Sequence, residues 1–491
     1  MSSTESAIPS STVAERFHPL GVLDDVLAGT GFAVGDTGGS ISFSGADPIF
    51  ESRLRLAAGI GVPVMAAAVG AASAWRLNTG ESQDLHLDLR QAIHGITPHF
   101  AWHPTVNGMP HGHALVLDNF FLLAPYKTRD GRVVMASGVY PHMAASWLRF
   151  LDCAPEWEKV VAALARWDSA ELEDAANAQG LPLTIARTPE EWLAHPQGQV
   201  LAAKPVIEVE KIADCEPKPL GLGSASLSGA AALSGVRVLS FTHAIAGPTV
   251  GRTLAEHGAD VLNATFPNHF EHDFIYNEAN VGSRSANLDL RIPEHRSHVE
   301  RLLADTDVLV DNHRPGKLAE HGLDPNQLAE RHPGIVTVKI SAYGHDGPWA
   351  DRAGFDMNGS AASGVMAIEG DDDDPKLPPT GMLNDFITGY LGAAGATAAL
   401  LRRAHEGGSY RVDVSLARTG MFVTSLGTVD PTLAGSDRQH TPQDPPSVLA
   451  DTPLGRLAQL APPVHFSKTP PAWRDPILVP RCSSRPEWLP R

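Results

Sequence analysis

The sequence predicts an α/β fold built around a parallel sheet, on three observations. Beyond residue 236, short β-branched runs alternate with helical stretches. A Pro/Gly/Ser/Ala stretch from Pro217 to Ala232 separates this half of the chain from the first. A helix–turn–strand unit in the first half recurs in the second. At 491 residues the chain has room for about two or three domains with substantial cores. Hydrophobic residues at 43% and charged residues at 19% fit a soluble globular protein.

Taken in order, residues 1–46 read as an N-terminal leader, partly disordered, with 1–16 the disordered part. Residues 47–216 open with an Ala-rich helix over Leu54–Leu77 and an extended segment after it. Residues 104–135 are turn-rich, and Tyr126–Val134 reads as a hairpin turning at Asp130-Gly131. Residues 142–204 read as helical, with Thr188-Pro189-Glu190-Glu191 as a capping sequence. Residues 217–235 are the linker, and Gly221-Leu222-Gly223 within it is no nucleotide fingerprint.

Val236–Phe241 is a buried-strand pattern, and Ala246-Gly247-Pro248 turns it into a helix over Thr249–His257. Asp260-Val261-Leu262 is a second strand. A helix over 293–304 leads to a third strand at Asp307–Val310, and a helix near 325–331 to a fourth at Ile335–Ile340. Strands alternating with helices imply a parallel sheet with ligands at the strand C-termini. The unit 236–430 is thus the expected binding and catalytic domain, and the proline-rich tail 431–491 is expected to wrap a surface.

Charge and composition exclude several classes. The balance of 38 basic to 56 acidic residues gives −18, which argues against a nucleic-acid surface. Cys153, Cys215 and Cys482 are far apart and suit a reducing cytoplasm. No 18-residue apolar run and no secretory pattern stand out, so no membrane is expected. Asp371–Asp374 lacks a Gly-spaced calcium loop and reads as a solvated acidic loop. His86, His94, His99, His103, His111 and His113 match no metal-ligand spacing, so no metal is expected.

The internal repeat sets Trp75–Leu89 against Arg402–Leu416. Both segments follow an Ala/Gly-rich helix and enter a short strand. Without gaps, Asp385 falls opposite Ala58, so one copy carries a carboxylate and the other does not. Asp385 follows a Pro/Gly loop (Pro378, Pro379, Gly381) and opens an apolar helix. A helix N-terminus favours an anion, and small residues let a bulky ligand approach the backbone. An ordinary N-cap is the alternative. The surroundings favour chemistry. Phe241–Pro248, Asp311–Gly316 and Ser341–Trp349 each follow a strand and converge on one sheet edge. There, backbone N–H groups of the turn at His243, Ala246 and Gly247 can hold a phosphate or thioester oxygen. Asn312 can donate to an amide or carbonyl, and Arg314 can pair with a phosphate.

These segments, in this order, resemble the family III CoA-transferases, the CaiB/BaiF family of formyl-CoA and carnitine CoA-transferases and alpha-methylacyl-CoA racemase. The resemblance rests on Val236–Leu239 with Ala246-Gly247-Pro248, Gly258–Val261, Ser285–Leu290, Asp307–Gly316, Gly344–Pro348, Gly354-Phe355-Asp356, Asn384-Asp385-Phe386 and Val412–Leu416. Residues 55–210 resemble the family's second half, so a partial copy precedes a copy with little room for a small domain. The resemblance implies a Rossmann-like large domain with a smaller α+β lid domain over Asp385, in one chain or across a homodimer. It implies a CoA-transferase that moves CoA from an acyl-CoA donor to a carboxylic acid through an aspartyl intermediate on Asp385. No cofactor would be bound permanently, and coenzyme A thioester would be a substrate. CoA contacts would come from His243, Ala246, Gly247, Arg284, Asn312 and Arg314. Basic residues common in relatives are here Asn263, Thr265, Ser283 and Glu320, which motivates a non-catalytic CoA-binding protein as one rival reading. An acyl-CoA racemase or isomerase is the other, and Phe355 counts against it because the racemase branch has a histidine there.

Overall fold

The computed structural model describes residues 17–97, 102–110, 119–221, 231–266, 268 and 270–490. The proposed disorder of 1–16, most of the linker (222–230), and His99, His111 and His113 lie outside the described residues. In chain order the strands are β1 (Gly38–Ser44), β2 (Gln83–Asp88), β3 (Thr105–Val106), β4 (Met109–Pro110), β5 (Pro125–Lys127), β6 (Val133–Ala136), β7 (Leu183–Ile185), β8 (Glu208–Ala213), β9 (Arg237–Phe241), β10 (Asp260–Thr265), β11 (Arg284–Asn287), β12 (Val308–Asp311), β13 (Val336–Ser341), β14 (Ser409–Ser415), β15 (Ser447–Thr452), β16 (Gly455–Leu460) and β17 (Val464–Phe466).

The large sheet has the order β11-β10-β9-β12-β13-β14-β8. Its first six strands pair in parallel and β8 closes the edge antiparallel to β14. Runs such as Val308–Asp311 are buried throughout, as strands covered on both faces must be. Chain order reverses between β9 and β12, which opens a crevice at their carboxyl ends. The turn after β9 and the Asn312–Arg314 loop after β12 flank that crevice.

Two long small-residue helices form the centre of the molecule. Leu56–Thr79 and Asn384–Glu406 pack against each other, and the second also packs on Ala246–Glu256. Glycine makes this approach possible. A Cβ on Gly389 would come within 2.4 Å of Thr249 Cβ. Leu56–Thr79 contains an 18-residue window of mean hydropathy 1.8, wholly buried in the protein, so the sequence expectation of no such run was wrong. Alanine and glycine spread over many positions had hidden it.

The first half docks onto the second within the same chain. β5, β6 and β7 form a small antiparallel sheet that packs with helices Pro141–Leu151 and Trp157–Leu164. Met135 O accepts from Asn358 Nδ2 at 3.1 Å, and Arg187 N donates to Ala361 O at 2.9 Å. Gln197 Nε2 donates to the carbonyls of Tyr343 and Asp346 at 2.7 and 2.8 Å. Thr188 and Glu191 form a reciprocal capping box, as their spacing implied.

Several expectations need correction. Residues 17–46 are structured: helix Pro19–Ala28 and β1 precede the first repeat, and β1 pairs with β2 in parallel. The stretch 142–204 is interrupted by β7, which pairs with β6. The tail does cross surfaces, but it also folds: β15 and β16 form a hairpin, and β17 pairs with β2. Its last residues bridge β11, with Ser484 N donating to Ser285 O at 2.7 Å. That covers an otherwise open sheet edge.

Removing the first 225 residues would take away β8 and helix Leu56–Thr79, and so uncover the apolar face of Asn384–Glu406. A fragment of residues 226–491 is expected to aggregate or to bind a hydrophobic dye strongly, and to lack activity. A monomeric, active fragment in size-exclusion chromatography would contradict this packing account.

Candidate active site

Asp385 sits in the first turn of helix Asn384–Glu406, half-buried at the wall of a cavity of about 300 Å³. Its position is fixed by a different carboxylate. Asp356, at the start of helix Asp356–Ala362, is 1% exposed and accepts from three backbone amides. Leu383 N donates to it at 3.0 Å, Asn384 N at 2.6 Å and Asp385 N at 2.8 Å. Asn384 Nδ2 then bonds back to Asp356 O at 3.0 Å and to Ser360 Oγ at 2.9 Å. Asp356 thus supplies the cap for which sequence reasoning had proposed Asp385 as an alternative.

The pair has an electrostatic consequence. Burial raises the proton affinity of both carboxyls, and the three amides stabilise the charge on Asp356. Asp385 is raised well above the usual carboxylate range, by burial first and by the neighbouring Asp356 second. Backbone amides oppose the upward shift on Asp356, so Asp385 is the member of the pair pushed further up.

Above this pair, the first half contributes Leu122, Leu123 and Val139 to the cavity wall, and the turn after β9 contributes Ala244 and Ile245. Ala244 has a left-handed φ of 57°, and its N–H donates to Glu271 Oε2 at 2.7 Å. Glu271 Oε1 also accepts from Tyr140 Oη at 3.3 Å, and Tyr140 Oη lies 3.1 Å from His243 Nδ1. Burial raises Glu271 above its usual range, opposed by the Ala244 and His272 amides and by Arg481.

The sequence-predicted residues divide into three groups. His243, Asn312 and Arg314 line a second cavity of about 200 Å³, and Phe355 lines both cavities. Asn312 also bonds both ways to the backbone of His243, at 3.1 and 2.8 Å, and so braces the turn. Ala246 and Gly247 form the first turn of the following helix, where a Cβ on Gly247 would meet Asn312 Cγ at 2.7 Å. Arg284 is elsewhere. It opens β11 at the strand's amino end, pairs with Asp260 at 2.9 Å and donates to Glu487 O. It lines neither cavity. Asp260 and the returning tail occupy its guanidinium instead.

Sequence reasoning gave no role to Tyr140, Glu271 or Asp47. Asp47 had a readable signal. Gly45-Ala46-Asp47 matches Gly354-Phe355-Asp356, and Asp47 accepts from Ala57 N and Ala58 N at 2.8 Å each. These amides correspond, through the repeat, to those of Asn384 and Asp385. The first copy thus keeps the buried cap and has Ala58 in place of the second carboxylate. Among the described residues, no three His, Cys, Asp or Glu side chains cluster as a metal site would require.

Residues 233–455 match the family model for CoA-transferase family III. An acetyl-coenzyme A transferase, nodX, of Hypoxylon pulicicidum is 31% identical over 324 residues, covering 62% of this chain and 55% of the relative. A succinyl-CoA–D-citramalate CoA-transferase of Chloroflexus aurantiacus is 31% identical over 260 residues, covering 46% of this chain and 64% of the relative. A crystal structure of a CaiB/BaiF family protein from Brucella suis is 26% identical, covers 45% of this chain and 64% of its own, and has a TM-score of 0.36. The chain thus spans 55% to 64% of the length of the two curated relatives. The resemblance read from the sequence is borne out over the matched segment.

The raised proton affinity of Asp385 has a sign that can be tested. Ionising it costs more in the folded chain than in the unfolded one, so the penalty is absent below the unfolded value of about 3.9 and complete above the folded value. Asp385→Asn is expected to be more stable than wild type near about pH 8, with the difference shrinking as the pH falls toward about 4. Denaturant melts across that range read this directly, and a pH-independent difference would contradict the raised proton affinity of Asp385.

Proposed function

We propose that this chain, whose 233–455 segment is of family III CoA-transferase type, moves CoA from an acyl-CoA donor to a carboxylic acid, with Asp385 as the covalent carrier. The observation that supports it most is the environment of Asp385: a carboxyl in a largely apolar cavity, beside a second carboxylate, adjoining a strand-end crevice lined by His243, Asn312 and Arg314. An anion poorly solvated there is a better nucleophile than one in water.

In this reading the ionised Asp385 attacks the donor thioester carbonyl, forms a mixed anhydride and expels CoA thiolate. The thiolate attacks the aspartyl carbonyl, giving an aspartyl-CoA thioester and releasing the donor acid. The acceptor carboxylate then attacks that thioester, and the thiolate returns to the new acyl carbonyl, which frees Asp385. No net proton or electron is exchanged. Each step trades one activated acyl group for another. Oxyanion stabilisation is proposed for backbone N–H groups at the helix start Ala246-Gly247, because the N–H of Ala244 is already bonded to Glu271.

The polar part of CoA is assigned to the His243–Asn312–Arg314 cavity and to the helix start at Ala246-Gly247. Arg284 is left out because it is already paired. Leu122, Leu123 and Val139 come from the same chain as Asp385, so a homodimer is compatible with this site but not needed to complete it. A cytoplasmic setting, suggested by three dispersed free cysteines, belongs to the same proposal.

Asp385→Asn is expected to lower acyl exchange by at least about a thousandfold, ~4 kcal/mol in barrier terms. Retention of more than about a tenth of the wild-type rate would place the nucleophile elsewhere. Wild-type kcat/KM is expected to rise with pH as Asp385 loses its proton. Arg314→Ala should weaken CoA binding by about 1.5–3 kcal/mol, and Arg284→Ala should leave it nearly unchanged. The reverse pattern by calorimetry would move the CoA site to the start of β11.

A further inference from the structure

The cavity at Asp385 also constrains which acids the site can take, and this inference rests on the transferase reading. Its wall is mostly aliphatic and aromatic, including Leu122, Leu123, Val139, Phe274, Ile275 and Met357. Among the described residues, its charged members are Asp356 and Asp385, and no lysine, arginine or histidine lines it. Its two hydroxyls are already engaged. Thr97 Oγ1 and Thr380 Oγ1 both donate to Met382 O, at 3.2 and 2.8 Å.

The reacting carboxylate has to lie at the Asp385 end, but a second one further in would find, among the described residues, neither a cation nor an unengaged hydroxyl. It would lose its hydration with no opposite charge to offset the loss. An apolar chain gains instead, by about fourfold in affinity per buried methylene. The volume of about 300 Å³ is roughly ten times the ~30 Å³ that one water occupies in the liquid, room for an acyl group of about ten heavy atoms.

We propose that the acid handled at Asp385 is a monocarboxylic acid with an apolar body of medium-chain or arylalkyl size, and that dicarboxylates are excluded. Leu123 marks the mouth of the cavity: it lines the wall and is 39% exposed, so a charged side chain can be placed there without burying it fully.

The test uses the full chain and two readouts. Binding of free octanoate, phenylacetate, succinate and glutarate is measured by calorimetry, which needs no turnover. Isotope exchange between each acyl-CoA and its labelled acid is measured by mass spectrometry. Octanoate and phenylacetate are expected to bind at least about tenfold more tightly than either dicarboxylate, and exchange is expected to follow the same order. Leu123→Arg is expected to narrow the octanoate-to-succinate ratio by about tenfold or more, through tighter succinate binding. Equal or tighter binding of succinate by the wild type, no measurable binding of octanoate, or an unchanged ratio in Leu123→Arg overturns the proposal. Binding in the expected order without exchange of any acid supports the cavity's selectivity and overturns the transferase reading instead.

Discussion

The bond set around Asp356 is the constraint on which the site depends. One buried carboxylate receives the N–H groups of Leu383, Asn384 and Asp385 and so fixes where the helix Asn384–Glu406 begins. Without it, three amides at a buried helix start would lack partners, and buried unsatisfied donors cost about 1–3 kcal/mol each. The same bonds keep a negative charge beside Asp385, which adds to burial, the larger cause, in raising that residue's proton affinity. Structure and chemistry are thus coupled through one side chain. The first copy shows the structural part in isolation. Asp47 caps helix Leu56–Thr79 through Ala57 and Ala58, with no acid at the position equivalent to Asp385.

The two copies are complementary rather than redundant. The second supplies the crevice between β9 and β12 and the carboxylate. The first supplies β8, the helix that packs along Asn384–Glu406, and the apolar residues above Asp385. Small residues allow this arrangement, because a Cβ on Gly70 would press on Thr397 at 3.0 Å and one on Gly389 would meet Thr249 at 2.4 Å. The helices approach closely, and the core is continuous between the halves.

Much of the fold was legible because it is local. The strand at Asp307–Val310 is observed as Val308–Asp311, and the helix at 325–331 as Pro325–Arg331. Apolar periodicity, Pro at the first helical turn and Asp-Gly at a hairpin carry that information within a few residues. The hairpin β15–β16 was hidden in a proline-rich tail, and strand β1 was not legible because it opens on two glycines and pairs with β2 beyond the helix Leu56–Thr79. In the site, Asp385 stood out by its place at a helix mouth. The role of Asp356 was hidden because its bonds span 29 residues, and Tyr140 meets His243 across 103. Arg284 was misplaced for a related reason: a motif gives a residue's neighbours in the chain, but its ion pair with Asp260 and its bond to the tail are set by sheet register.

The central claim is that Asp385 becomes covalently attached to CoA during turnover. The most direct measurement is peptide mass spectrometry of the full chain quenched during incubation with an acyl-CoA and an acid. The account predicts a CoA thioester, cleaved by hydroxylamine, on the peptide containing Asp385 and on no other acidic residue. Turnover with no adduct at Asp385, or an adduct on Glu271 or Asp356, would contradict it.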